Sequence, residues 1–240
     1  MTRAIWYNPG MEKIVVISGA TSGLGKALAE KFRADGDVVC GLSRSCAESE
    51  TAYPCEGQVN AAVDKIVERY GRIDILINNA GVGISGATEL IPVEDIRKAM
   101  DVSYYGALFL TRAALKHMTR GARIIFMSSI AGLTAIPFRS VYCSVKAAEL
   151  MLGEALRMEL SQTGIDVVTL CPGEIRTNFS ANKLADTKTS ERYGDRVAKA
   201  QAKVYDREEK RMPISKVIDK MYKICRRGKK AMYIIGGKYK

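Results

Sequence analysis

At 240 residues the chain is long enough for one domain with a large core, and its 47% hydrophobic content fits a globular protein. No stretch approaches the ~18 uninterrupted apolar residues of a membrane span, and no apolar signal-peptide region opens the chain, so a cytoplasmic protein is expected. The lone histidine, His117, argues against a zinc site or a histidine triad, and six scattered cysteines without a C-x-x-C pair read as free thiols. The net charge of +11 comes from the last sixty residues: residues 1–180 hold 19 Lys and Arg against 19 Asp and Glu, residues 181–240 hold 18 against 7. Basic residues there are not interleaved with aromatic ones, so a solvated helical face is favoured over a nucleic-acid platform.

Residues 1–10 look like an appendage, and a single domain is expected over residues 11–240. Residues 13–18 (Lys-Ile-Val-Val-Ile-Ser) form an apolar, β-branched run that reads as a buried parallel strand. Gly19-Ala-Thr-Ser-Gly23-Leu-Gly25 follows, then a helix over residues 26–33. Glycines between a strand and a helix N-terminus let a pyrophosphate approach the backbone and its free N–H groups. The spacing is G-x-x-x-G-x-G rather than the common G-x-G-x-x-G, and the cluster alone would be a simple turn.

Residues 37–42 read as a second strand, ending in Ser43-Arg44. An acidic residue at this point suits the ribose of NAD, whereas an arginine suits the 2′-phosphate of NADP. No acid is present, so NADP(H) is favoured over an exposed, idle arginine. Residues 45–51 are too few for a normal crossover helix before the next strand candidate, residues 52–55. Seven extended residues reach ~23 Å, enough to return along a short edge strand.

Residues 58–70 read as an amphipathic helix stopped by Gly71, and residues 73–77 as a strand running into Asn78-Asn79-Ala80-Gly81. Two amides at a strand end can brace neighbouring strands and touch a cofactor. Residues 92–117 read as one long helix with Pro92 in its first turn and Ser103 and Gly106 inside it. Residues 123–129 (Arg-Ile-Ile-Phe-Met-Ser-Ser) read as a buried strand ending at Ser129.

From about residue 140 the apolar residues recur at helical spacing. Tyr142 and Lys146 are four apart and share one helix face. An ammonium beside a phenol favours the phenolate, so the tyrosine can exchange a proton with an alcohol or carbonyl oxygen. A hydroxyl at Ser129 could donate to that oxygen. Alone, such a pair decorates many helix surfaces; the glycine turn gives it a use. Residues 166–170 form a further strand leading into Pro172-Gly173-Glu174-Ile175-Arg176-Thr177. Residues 178–212 are polar, with the composition of a lid over a pocket. A helix over residues 213–227 and a strand over residues 231–235 complete an alternation that predicts a doubly wound parallel α/β sheet.

Taken together, Gly19-x-x-x-Gly23-x-Gly25, Asn78-Asn79-Ala80-Gly81, Ser129, Tyr142-x-x-x-Lys146 and Pro172-Gly173 with Thr177 resemble the short-chain dehydrogenase/reductase family. The resemblance implies a Rossmann-type fold of about seven strands and hydride transfer between a nicotinamide and a carbonyl or secondary alcohol. It implies Tyr142 as general acid/base, Lys146 as the residue that tunes it and binds ribose, and Ser129 as the group polarising the substrate oxygen. Ser128 is the bland neighbour, because the family's serine lies thirteen residues before the tyrosine. For the cofactor the resemblance implies Gly19, Thr21, Ser22, Gly23, Leu24 and Gly25, then Ser43 and Arg44. It also implies Asn78, Asn79, Ala80 and Gly81, and Pro172, Gly173, Ile175 and Thr177. Ser103 stands where many members carry an asparagine that holds a relay water, and Glu56 is the nearest stand-in for their adenine-side aspartate. The C-terminal part looks more like branches acting on apolar alcohols, and a homodimer or homotetramer is implied. The alternative is a non-catalytic dinucleotide-binding regulator on the same fold, which would have no need of Ser129, Tyr142 and Lys146.

Overall fold

The computed structural model describes residues 12–43, 55–177, 179, 184–185, 189–205 and 211–236. Among them six strands form one parallel sheet. These are β1 (Ile14–Ser18), β2 (Val38–Leu42), β3 (Ile75–Asn78), β5 (Arg123–Met127), β6 (Asp166–Pro172) and β10 (Met232–Ile235). Their order is β10-β6-β5-β3-β1-β2, and every pairing is parallel.

The strand residues alternate between two cores, as a two-residue side-chain period requires. Val15, Ile17, Ile75, Ile77 and Ile125 pack with Leu28 and Phe32 of helix α1 (Gly23–Ala34) and with Met221 and Cys225 of α7 (Ile218–Arg227). Ile14, Val16, Leu76, Ile124 and Phe126 pack on the other face. There they meet Val63 and Ile66 of α2 (Glu56–Tyr70), Leu110 and Ala114 of α4 (Gly106–Leu115) and Leu156 of α5 (Ser140–Glu159). The expected doubly wound sheet is therefore present, with six strands among the described residues.

Several elements differ from the sequence-based expectation. Residues 52–54 and Arg44 lie outside the described residues; Cys55 is not in a strand but is the N-cap of α2, which starts at Glu56. Gly71 ends α2 in the left-handed conformation (φ 74), with its N–H on the Val67 carbonyl at 2.7 Å. The helix expected over residues 92–117 is divided. Helix α3 (Val93–Met100) gives way to one π turn, Asp101–Tyr105, before α4. The wider turn buries Ser103, whose Oγ accepts from the Val82 N–H at 3.2 Å. The C-terminal helix begins at Ile218 rather than at residue 213. Met212 donates to the Glu174 carbonyl at 3.0 Å, so the segment enters extended as β9 (Met212–Pro213) beside β7 (Ile175–Arg176). A second small pair joins β4 (Ile84–Ser85) to β8 (Leu184–Ala185). Helix α6 (Arg196–Tyr205) completes the described elements.

Among the described residues no helix is long and apolar enough to cross a membrane. Cys40, Cys55, Cys143, Cys171 and Cys225 are free thiols.

The packing of α5 on the sheet rests on Gly153. A Cβ there would lie 2.5 Å from Thr169 Oγ1 and 3.2 Å from Phe126 Cδ2. Alanine normally favours a helix over glycine, but this overlap outweighs that preference. Gly153→Ala should lower stability by about 1–3 kcal/mol in urea unfolding; an unchanged or raised midpoint would contradict the tight approach.

Candidate active site

All six strands of the main sheet point their C-terminal ends to one edge, and the turns leaving those ends hold the candidate residues. Gly19 leaves β1 with φ 68, and its N–H donates to the Leu42 carbonyl of β2 at 2.8 Å. Asn79, just past β3, ties the turn down. Its Nδ2 donates to the carbonyls of Ser18 at 3.0 Å and Gly19 at 3.1 Å. The backbone N–H groups of Asn79 and Ala80 both donate to Ser18 Oγ at 3.0 Å. Asn78 points elsewhere: it is buried, and its Nδ2 donates to Thr111 Oγ1 of α4 at 2.8 Å.

The turn fits a pyrophosphate on its own geometry. A Cβ on Gly25 would lie 2.3 Å from the Gly19 carbonyl oxygen and 2.4 Å from Asn79 Nδ2, so only glycine permits this closeness. Helix α1 begins at Gly23 after the N-cap Ser22, which makes no side-chain cap bond, and no acidic residue occupies the first turn. The helix end is thus electropositive and uncapped by its own side chains. Thr21 and Ser22 are exposed, while Leu24 packs on the core. An open groove beside the turn is lined by Gly23, Lys26, Arg176, Thr177 and Ile214. A Cβ on Gly23 would meet Thr177 at 3.7 Å, so the glycine turn and the loop after β6 face each other. Within that loop Gly173 donates to the Ile235 carbonyl at 2.8 Å, and Ile175 donates to the Gly173 carbonyl at 3.0 Å. Ser43 is half-buried at the end of β2.

At the end of β5, Ser129 opens a 3₁₀ turn (Ile130–Gly132) that packs against α5. Its Oγ accepts from the Ala131 N–H at 3.1 Å and lies 3.5 Å from the Pro172 carbonyl. A Cβ on Gly132 would lie 2.7 Å from the Lys146 carbonyl, and Ser128 Oγ donates to that same carbonyl at 2.7 Å. These contacts lock the end of β5 to α5 at the level of Lys146. Tyr142, one turn earlier, is half-buried, with its ring 6.0 Å from that of Phe179. Beside it lies an apolar cluster of Ile84, Ile91, Ala99 and Val145 with Leu184. Phe138, in the approach to α5, holds φ 59, rare for a residue with a side chain. Its carbonyl accepts from Gly86 at 2.9 Å and its ring stands edge-on to Tyr193.

Lys146 is buried, and its ammonium is held by two groups, a backbone carbonyl and a carboxylate. Nζ donates to the Met127 carbonyl at 3.0 Å and to both oxygens of Glu149, at 3.1 and 2.8 Å. Burial alone would lower the Lys146 pKa, but the charges of Glu149 and Tyr142 more than offset it and the net shift is upward. Burial pushes Glu149 up to about 7, against the pull of Lys146. The point where a Gly81 Cβ would sit is 3.4 Å from Lys146 Nζ and 3.5 Å from Ser103 Oγ, so these two polar atoms border the same spot. Sequence reasoning missed Glu149. The available signal was its position three residues after Lys146, on the same helix stripe as Tyr142.

The family profile described as short chain dehydrogenase matches residues 13–188. The chain is 38% identical over 206 residues to "Dehydrogenase/reductase SDR family member 7B" of Rattus norvegicus, covering 75% of this chain and 63% of the relative's length. It is 34% identical over 209 residues to a "3-ketodihydrosphingosine reductase" of Bacteroides thetaiotaomicron, covering 82% of this chain and 77% of that protein. A solved short-chain dehydrogenase from Streptomyces avermitilis superposes with a TM-score of 0.79 at 26% identity, over 94% of this chain and 88% of that one.

The closeness of the glycine turn gives a direct test. Gly25→Ala should push Asn79 off the Gly19 carbonyl and weaken dinucleotide binding at least about tenfold, with the far-ultraviolet dichroism unchanged. Titration of NADPH fluorescence reads the outcome, and wild-type affinity would remove the turn from the binding site.

Proposed function

The chain belongs to the short-chain dehydrogenase/reductase family, and from that premise we propose that it is an NADP(H)-dependent oxidoreductase acting on an apolar carbonyl or secondary alcohol. The observation that carries this reading is the junction of two features at one sheet edge. A glycine cradle closed by Asn79 faces a helix that presents Tyr142 and a buried Lys146.

The nicotinamide, when bound, supplies or takes up the hydride. Tyr142 gives its proton to the substrate oxygen in the reductive direction and recovers it in the oxidative one. Lys146, one helical turn from Tyr142, takes the role of favouring the oxygen anion left when Tyr142 gives up its proton. Ser129 donates its hydroxyl hydrogen to the same substrate oxygen; its present Pro172 contact, at 3.5 Å, is long and readily exchanged. Ser103 takes the place of the family's asparagine, with its Oγ on the Val82 N–H and beside Lys146. Gly19, Gly23 and Gly25, with the N–H groups opening α1, hold the pyrophosphate. Thr177 and the loop from Pro172 close on it from the opposite side. Arg44, following Ser43 at the end of β2, takes the 2′-phosphate.

An apolar substrate is supported by the walls around Tyr142, where Phe179, Leu184, Val141 and Ile84 present no charge. The name of the Bacteroides relative, a reductase of a keto compound, points the same way. The lid role proposed for residues 178–212 falls partly on residues outside those described, namely 178, 180–183, 186–188 and 206–210; the chain on either side meets in the pairing of Ile175–Arg176 with Met212–Pro213.

Two measurements test the proposal. Tyr142→Phe should lower turnover of a carbonyl panel roughly 100- to 10,000-fold, followed at the nicotinamide absorbance, while NADPH binding stays within about twofold. Wild-type turnover by that variant removes Tyr142 as proton donor. Arg44→Ala should weaken NADPH at least about tenfold and NADH by less than about twofold; equal losses for the two nucleotides refute the 2′-phosphate role.

A further inference from the structure

Tyr142, Lys146 and Glu149 occupy positions i, i+4 and i+7 of α5, which places all three on one stripe of the helix. Tyr142 and Lys146 have roles in the proposed reaction; Glu149 has none. Yet the Glu149 side chain is only 4% exposed and that of Lys146 5%. A buried carboxylate three residues from a buried ammonium is costly to install unless each satisfies the other. Here Nζ lies within hydrogen-bond distance of both Glu149 carboxylate oxygens and of the Met127 carbonyl, so at least two of its hydrogens are engaged. At most one ammonium hydrogen is then left for a ribose hydroxyl, and the carboxylate charge beside the ammonium counters its effect on Tyr142.

We infer that Glu149 is a positioning residue that decides when the Lys146 ammonium is available. Ionised, it holds that ammonium in a neutral pair against the end of β5; protonated, it releases one N–H and the positive charge toward Tyr142 and the nucleotide ribose. The proton balance is simple. The carboxylate binds one proton from solvent, one of its oxygens ceases to accept, and the freed N–H turns to the ribose hydroxyl. Ser103 Oγ and Gly81 border the space into which it turns.

The groups acting on the pair are few. Tyr142 on the same helix and Cys171 on β6 act on Lys146, and Lys146 acts on Glu149. Cys171 is buried, its thiol pushed up to about 11 first by burial and then by Glu154, so it stays neutral across the working range. Ser128 and Ser103 contribute hydroxyls without charge. Glu149 is therefore the group that titrates near neutrality, its carboxyl raised by burial to about 7. The direction follows by linkage. The nucleotide favours the state with Glu149 protonated, so binding takes up a proton, strengthens as pH falls through about 7 and weakens as pH rises above it.

The inference rests on the proposed role of Lys146 toward the nucleotide, and the experiment separates the two. NADPH and NADH binding are titrated by fluorescence from about pH 6 to about pH 9, without substrate, for the wild type, Glu149→Gln and Glu149→Leu. NADH controls for the titration of the 2′-phosphate. Wild-type affinity should fall about tenfold across the range, the worth of one hydrogen bond to a charged donor. In Glu149→Gln affinity should stay near its low-pH value throughout, so that above pH 8 the variant binds more tightly than the wild type. Glu149→Leu, which leaves no buried polar group at position 149, should behave likewise. Parallel wild-type and variant profiles overturn the inference, as does weaker binding by both variants at every pH. If neither variant folds, a wild-type profile flat for both nucleotides overturns it, and the predicted fall supports it. Failure of the wild type to bind either nucleotide overturns the cofactor reading, and the inference with it.

Discussion

Parallel pairing is the constraint from which the site follows. Five parallel pairings bring the C-terminal ends of six strands to one edge, so every connection leaving those ends starts on the same side of the molecule. Chain segments far apart in sequence, the turn after Ser18, the amides after Ile77, the serines after Met127 and the loop after Cys171, become neighbours without any long excursion. The two hydrophobic layers that cover the sheet make this edge rigid. Residues such as Val15 and Val16 are fully buried on opposite faces, and a slip of one residue would turn each into the wrong core.

Within that frame the polar interior is concentrated in one place. Ser18, Asn79 and Gly19 are joined by backbone and amide hydrogen bonds that stiffen the glycine turn. Ser128, Lys146, Glu149 and the Met127 carbonyl do the same where β5 meets α5. The second cluster is buried and the first half-buried, and in both the polar groups satisfy one another, which fixes their geometry. Gly81 lies between them, with Lys146 and Ser103 within contact distance of where a side chain would start. The absence of a side chain there lets the strand end and helix α5 share one small polar space.

Much of this was legible in the sequence because the informative residues stand at element boundaries. A glycine run between an apolar strand and a helix, or paired amides at a strand end, contradicts the local pattern and so attracts attention. Tyr142 and Lys146 were legible through their spacing. Glu149 was not, because a glutamate in a helix is by default solvent-facing, and only the packing of α5 on β5 and β6 reveals that its stripe is buried. The π turn at Asp101–Tyr105 was also hidden: one widened turn leaves the apolar period on either side almost unchanged. The start of the last helix was misjudged because Pro213 suits a first helical turn as well as an extended entry, and the hydrogen bond from Met212 to the Glu174 carbonyl decides between them.

The small β7–β9 pair has a consequence for how such a protein can diversify. Chain that departs after Arg176 returns beside its point of departure at Met212. The closure entropy of what lies between grows only with the logarithm of its length, so changes of length there cost little on that account. The segment can therefore change in length while the main sheet, whose strands pair with one another outside this clasp, keeps its register. Evolution, or a designer, can vary this excursion without rebuilding the sheet from which it departs.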